Sequence, residues 1–562
     1  MSLHPRDAYQ VPEATRRVAH AAFPRGNVYM KIADLFGTIY RDEQFAALFP
    51  THGRPAAAPA RLALVTVLQF AEGLSDRQAA DAVRSRIDWK YCLALDLTDP
   101  GFDHTVLSEF RTRLVAGGAE LLLLETLLGW ARQYGWLQAR GRPRTDSTHV
   151  VAAVRALNRL ERVGETLRAA LNSLAVVAPD WLRALAPPEW YARYGPRIDN
   201  YRLPKTDAAR EALAATIGAD GVRLLQAVEA APEAPWLREV PAVKTLRQVW
   251  AQQYEPAAPA DPDAHPPDMV PAVRWRPVKT LAAAATLIAS PYDVEARWST
   301  KLSVAWVGYK VQVTETCDPG RPRLITNVET TPATTPDDNM VTTVHSSLAR
   351  RALLPREHLV DQGYTDSHVL VESARRYGVT LVGPLADEPS WQARAGKGFA
   401  NSQFVVDWER RVVTCPTGQQ SLSWLPSTYP QKGTVWEVRF PRRACTPCPA
   451  RAHGTRAKRE PRILGLRARE QEEALLRARQ DQTTAAFRAR YAARAGVEAT
   501  HAQGIRRCGL RQARYVGLAR THLQHVATAA ALNLVRLGEW WRGTPVATTR
   551  RSPFARLQPA AA

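Results

Sequence analysis

The pattern that most restricts the fold is a change of periodicity near residue 300. Residues 303–316 (SVAWVGYKVQVTET) are dense in β-branched and aromatic side chains, Asp318-Pro319-Gly320 reads as a turn, and residues 323–331 (RLITNVETT) return to β character. Two such runs on either side of a turn predict an antiparallel hairpin. His358-Leu359-Val360-Asp361 then reads as a short strand. A helix over residues 366–377 follows, stopped by Gly378, and residues 379–383 (VTLVG) form the next strand. Strand, helix and strand in succession imply a parallel crossover. The expected sheet is therefore antiparallel on one side and parallel on the other.

An antiparallel hairpin followed by parallel β-α units is the strand plan of a ribonuclease-H-like α/β fold. The chain has 562 residues, too many for one core, since domains run to about 100–200 residues. Residues 1–135 read as a helical N-terminal domain. Within it, residues 60–71 (ARLALVTVLQFA) form an apolar helix closed by Gly73, and Ser75 with Gln78 makes a capping box for the next helix. Asp103 caps a third helix. Short helices around a Gly-Leu-Ser turn resemble a helix-turn-helix, although an ordinary bundle has the same pattern. Residues 136–384 carry the first part of the core, with a helical insertion at about 150–285 that ends in a Pro-rich connector at 256–271. Residues 385–465 are a β-rich insertion containing three cysteines. Residues 466–545 hold the final helices, among them a long amphipathic helix over 517–541, and residues 546–562 read as a mobile tail.

Charge narrows the function. Lys and Arg total 75 against 54 Asp and Glu, a net charge of +21, and Arg greatly outnumbers Lys. Such a balance attracts polyanions, and the planar guanidinium fits phosphate oxygens. A GC-rich genome would explain the choice of Arg over Lys but not the excess of bases over acids. Double-stranded DNA is the expected partner. The first residues lack the apolar core of a secretory signal, and no apolar run approaches the ~18 residues of a membrane span. Six cysteines in so long a chain do not make a disulfide scaffold. A cytoplasmic, nucleoid-associated protein is expected.

The acids decide the chemistry. Cleaving a phosphodiester requires charge neutralisation at both the attacking and leaving oxygens, which two metal ions about 4 Å apart supply. Hard divalent ions take carboxylate ligands. Asp146 lies in Arg144-Thr145-Asp146-Ser147-Thr148-His149, where the helical part gives way to a further strand. Asp361 ends an apolar strand, and acids at the C-terminal ends of strands face the ligand crevice of α/β sheets. Tyr491, Arg494 and Glu498 are three and four apart and share one helix face. Singly, each also reads as a turn residue or a solvated ion pair. His149 reads as structural. Asp293 and Glu295 read as caps or as partners of Arg297.

Several stretches in this order resemble one family: LSDRQAADAV, SEFRTRL, RTDSTHV, SPYDVEARWSTK, WVGYKVQVTET, LVDQGYTDS and YAARAGVEATHAQGIRRCGLRQARYVG. Together they resemble the bacterial insertion-sequence DDE transposases of the eleven-eighty-two group, within the insertion-sequence-four superfamily. The resemblance implies Asp146, Asp361 and Glu498 as the catalytic, metal-binding triad for two magnesium ions, with manganese as a substitute. It implies cleavage at insertion-sequence ends, strand transfer into target DNA, and a homodimer in the active complex. Tyr491 and Arg494 would support the triad or grip DNA. The basic residue expected seven after the Glu is Ile505 here, with Arg506 beside it. Arg506, Arg507, Arg511 and Arg514 are the expected DNA contacts near the metals. Cys415, Cys445 and Cys448 with His453 offer three thiolates and an imidazole to zinc, but relatives carry a further Cys where this chain has Gly454. The alternatives are a non-catalytic or repurposed DNA-binding protein, and a nuclease of the same fold.

Overall fold

The computed structural model describes residues 2–6, 8–257, 273–396, 398–429 and 433–544, with Phe554 and Leu557. Apart from residues 256 and 257, the expected Pro-rich connector lies outside the described residues. So does the expected tail, apart from Phe554 and Leu557.

Six strands build the central sheet of a mixed α/β fold: β1 (Pro143–Val151), β2 (Arg297–Lys301), β3 (Val304–Thr316), β4 (Ile325–Pro332), β5 (Glu357–Leu359) and β6 (Thr380–Val382). The order is β4-β3-β1-β5-β6, with β2 a further partner of β3. The pairings of β3 with β1, β2 and β4 are antiparallel, and those of β5 with β1 and β6 are parallel. β1 thus joins the antiparallel half to the parallel half. The crossover helix runs over Ser367–Tyr377, with Asp366 as its N-cap and Gly378 in the left-handed conformation at its end.

The final helix, Leu518–Trp541, differs from the amphipathic expectation. It is buried on nearly all sides, because β4 covers one side and the N-terminal helices Pro59–Glu72 and Leu122–Gln133 cover the others. Its polar residues point inward to specific partners. Asn533 pairs with both the N–H and the carbonyl of Ile325 at 2.8 Å each. His525 Nδ1 lies 2.7 Å from Thr330 Oγ1, and Gln524 donates to the Gln512 carbonyl at 2.8 Å. Glu295 accepts the Leu518 N–H at 2.8 Å, so it caps this helix. Arg297 instead bonds the carbonyls of Ala285, Val294 and Ala296. In the N-terminal part, Gly73 ends the Pro59–Glu72 helix in the left-handed conformation, and the Ser75–Gln78 capping box is formed.

The helices between β1 and β2 enclose a hydrophobic core of their own, built on residues such as Leu167, Leu224, Leu246 and Trp250. Residues 404–466 pack a smaller one around Phe404, Val413, Val438 and Phe440.

One buried ion pair ties the sheet to the final helices. Glu315 of β3 is fully buried, and its Oε1 accepts from Arg144 Nε and Nη2 of β1 at 2.8 and 2.6 Å. Its Oε2 accepts from Thr500 Oγ1 at 2.6 Å and from Arg536 Nη1 at 2.9 Å. Burial alone would raise this carboxyl, but Arg536 and Arg144 outweigh burial and hold it below the usual range. Removing one partner of a buried pair leaves an uncompensated charge. Glu315→Gln is therefore expected to cost about 3–5 kcal/mol in urea unfolding, whereas a change below ~1 kcal/mol would show the pair to be dispensable.

A second buried network lies under β1. His345 Nε2 and His358 Nδ1 are 2.9 Å apart, His358 Nε2 lies 2.6 Å from Thr145 Oγ1, and Thr145 Oγ1 lies 2.7 Å from Thr314 Oγ1. Burial pushes His345 down to about 4 and His358 well below its ordinary value. Below pH ~6.5 the unfolded chain binds protons that the folded chain refuses. This contribution is complete above pH ~6.5 and declines as pH falls toward the folded values. Unfolding followed across that window is expected to show the decline, and His345→Gln is expected to make it shallower.

Candidate active site

The site forms where β1 outlasts its parallel neighbour. β1 and β5 pair only at Arg144 and Leu359, while β1 continues along β3 to Val151. Asp146 and Asp361 both lie just beyond that last parallel bridge. Asp146 is thus inside a long strand rather than at its end, but it is open toward the side where β5 has stopped. Asp361 caps the short turn Gln362–Tyr364, accepting the Gly363 N–H at 2.9 Å. Asp146 accepts the Ser147 N–H at 2.9 Å.

Arg494 draws the acids together. Its Nη2 lies 2.9 Å from Asp146 Oδ2 and 3.6 Å from Asp361 Oδ2, and its Nη1 lies 3.5 Å from Glu498 Oε1. The side chains of Asp146 and Asp361 are only 11% and 27% exposed, whereas that of Glu498 is 71% exposed at the rim. Burial raises the Asp146 carboxyl against the pull of Arg494. Burial and then the charge of Asp146 raise Asp361. Two crowded, poorly solvated carboxylates favour a shared cation, and the guanidinium supplies one here.

The Tyr491-Arg494-Glu498 stripe is not one continuous helix. The chain runs from the helix Ala485–Tyr491 through a tight turn, Ala492–Gly496, into the helix Val497–Cys508. Arg144 causes the break: Nη1 takes the Ala493 carbonyl, and a Cβ on Gly496 would strike the guanidinium. Tyr491 stacks on Phe487 with ring centroids 5.6 Å apart.

Three polar residues absent from the sequence reading also adjoin the acids. His501 Nδ1 lies 3.9 Å from Asp146 Oδ2, and burial pushes its pKa down to about 4. Its signal was the spacing of three from Glu498 on one helix face. Asp337 accepts from Ser147 Oγ at 3.0 Å, Lys310 Nζ at 3.2 Å and Gln312 Nε2 at 3.3 Å. It sits beside Asp361 across Gly363. A Thr-Pro-Asp-Asp loop carries no periodic signal that would have marked it. Lys310 is the third, placed by its ion pair with Asp337.

Three of the four expected DNA-contact arginines on this segment also bond within the chain. Arg507 donates to the Ala71 carbonyl at 2.6 Å and Arg514 to the Leu74 carbonyl at 2.9 Å, both at the C-terminal end of the Pro59–Glu72 helix, where cations are favoured. Arg514 also lies over the Phe70 ring, and Arg511 donates to Thr148 Oγ1 at 2.9 Å. Arg506 is exposed.

Cys415, Cys445 and Cys448 are free thiols around one apolar cavity that Phe404 and Phe440 also line. The His453 ring lies against Phe399, and burial pushes the Cys445 thiol up, toward its protonated form. Among the described residues no group of three or more His, Cys, Asp or Glu is placed to hold a metal ion. Among the acids, the space a cation would take holds the Arg494 guanidinium.

Residues 414–538 match a family model described as a transposase DDE domain, and residues 17–113 match one described as a transposase domain (DUF772). These matches support an insertion-sequence transposase. No curated protein and no solved structure matches the chain. The DDE-domain match begins at Thr414 and spans Tyr491, Arg494 and Glu498, while Asp146 and Asp361 lie outside it. The two matched stretches pack on each other, through the Leu518–Trp541 and Pro59–Glu72 helices. Among the described residues no helix is long and apolar enough to cross a membrane.

With Arg494 as the shared counter-ion of these acids, Arg494→Ala is expected to cost ~1–3 kcal/mol in chelator-treated protein, because mostly buried charges lose their partner. Adding Asp361→Asn is expected to recover much of that loss. Strictly additive unfolding energies in this double-mutant cycle would contradict the assignment.

Proposed function

We propose that the chain is a DDE transposase of the eleven-eighty-two group, cutting DNA at insertion-sequence ends and joining the ends to target DNA. The observation that carries this reading is the convergence of Asp146, Asp361 and Glu498 on one guanidinium where the parallel pairing of β1 and β5 ends. The strand order β4-β3-β1-β5-β6, three antiparallel strands and then two parallel, supports a ribonuclease-H-like core.

Asp146, Asp361 and Glu498 offer oxygen donors only, the set that magnesium or manganese takes. Bound there, divalent ions supply charge neutralisation to the attacking and leaving oxygens. The chain's own groups orient the rest. Asp337 braces Ser147 beside Asp146, and His501, held neutral by burial, lies along the same carboxylate. Arg494, once divalent ions took its place among the acids, would be free to hold a DNA phosphate. Exposed Arg506 and the +21 net charge favour a DNA duplex as substrate. The division into a DNA-binding N-terminal domain, a core with two insertions and closing helices belongs to this reading. So do a homodimer in the active complex and a place on the bacterial nucleoid.

The test is cleavage and strand transfer on labelled end DNA, with binding measured in parallel. Asp146→Asn, Asp361→Asn and Glu498→Gln are each expected to lower metal-dependent cleavage by more than about 100-fold. Binding is expected to survive, since phosphate contacts supply most of the affinity. Equal nicking by wild type and Asp361→Asn would place the chemistry elsewhere. Binding without cleavage under any divalent metal would favour a non-catalytic DNA-binding protein.

A further inference from the structure

One histidine beside the acids makes no hydrogen bond. Thr500 ties the helix Val497–Cys508 to Glu315 of β3 at 2.6 Å, and the next residue, His501, comes to rest near Asp146 of β1 with its side chain only 8% exposed. Its Nδ1 lies 3.9 Å from Asp146 Oδ2, beyond hydrogen-bond range. Its Nε2 is buried and has no hydrogen-bond partner among the described residues. His345, His358 and His525 are buried too, but each keeps at least one ring nitrogen in a hydrogen bond. A buried polar ring without a partner is costly, and an apolar side chain would fill the same space without that cost. The chain instead places a nitrogen donor there.

The geometry gives that donor a use. Arg494 Nη2 and His501 Nδ1 approach the same oxygen, Asp146 Oδ2, at 2.9 and 3.9 Å. Two donors to one ion, each about 2 Å from it, stand about 3–4 Å apart. Nδ1 is at such a separation from Oδ2, so an ion taking the place of the guanidinium on Asp146 can be met by the imidazole as well. Burial favours the neutral ring, in which one nitrogen keeps its lone pair.

We propose that His501 is a nitrogen ligand to the ion held by Asp146, and that it tunes this centre toward a first-row transition ion of the manganese kind over magnesium. This rests on the reading of Asp146, Asp361 and Glu498 as a metal centre. Magnesium takes oxygen donors and gives up its waters reluctantly. Imidazole suits transition ions, whose affinity for such donors rises along the series from manganese. One histidine therefore biases a site whose remaining donors suit both ions.

His501→Leu removes both ring nitrogens and keeps an apolar body of similar size. Because the ring makes no hydrogen bond in the fold, the thermal midpoint of the variant is expected to be unchanged or higher. The probes are manganese(II) alone and magnesium alone, titrated into the full chain without DNA. Pulsed EPR of bound manganese is expected to show nitrogen modulation from a coordinated imidazole in wild type and none in His501→Leu. The variant is expected to bind manganese about tenfold or more weakly, while magnesium binding changes little. Bound manganese without nitrogen modulation, at equal affinity in wild type and His501→Leu, overturns His501 as a ligand and leaves the acids as a metal centre. Manganese binding that Asp146→Asn and Asp361→Asn leave unchanged, or no binding at millimolar ion, overturns the metal centre and His501 with it.

Discussion

The arrangement of the site depends on a charge placed where water cannot reach it. Glu315 lies fully buried in β3, and the fold is acceptable only because Arg144, Arg536 and Thr500 surround its carboxylate. These partners come from three elements distant in sequence: β1 and the two helices Val497–Cys508 and Leu518–Trp541. Burying an ion is costly unless its partners are geometrically fixed, so the same pair that risks stability also sets how the helices sit on the sheet. Arg144 goes further. By taking the Ala493 carbonyl and filling the space above Gly496, it breaks the helix just where Arg494 must turn toward the acids.

The electrostatics of the site follow from that placement. Asp146 and Asp361 stand beyond the end of the parallel pairing, where burial raises both carboxyls and the charge of Asp146 raises Asp361 further. A cation is the remaining remedy, and Arg494 serves that purpose from the neighbouring turn. Asp337 adds a further acid, but one neutralised by Lys310 and used to hold Ser147 and Gln312. Arginine is thus spent inside the protein as well as on its surface. Arg507 and Arg514 fasten the closing helices to the end of an N-terminal helix, which joins the two stretches that match transposase domains.

What the sequence by itself determined was local. The β-branched runs around Asp318-Pro319-Gly320 specify a hairpin, because alternating branched side chains favour extended backbone and the turn residues reverse it. The Ser75–Gln78 box, Gly73 and Gly378 specify helix ends, because caps satisfy groups within a few residues of themselves. The acids Asp146, Asp361 and Glu498 were visible through motif order. Only the tertiary structure decided what depends on distant neighbours. The polar residues of the Leu518–Trp541 helix read as solvent-facing, but Gln524, His525 and Asn533 turn inward because β4 and the 512–514 segment supply their partners. The arginines after Glu498 read as DNA contacts, and only the structure adds that Arg507 and Arg514 also bond carbonyls more than 400 residues away in the chain. Asp337 had no periodicity to mark it, and it reaches the site because Ser147 of β1 and Lys310 and Gln312 of β3 hold it there. Sequence pattern records the preferences of a residue for its own backbone, while hydrogen-bond and charge partners are assigned by packing between segments that sequence leaves apart.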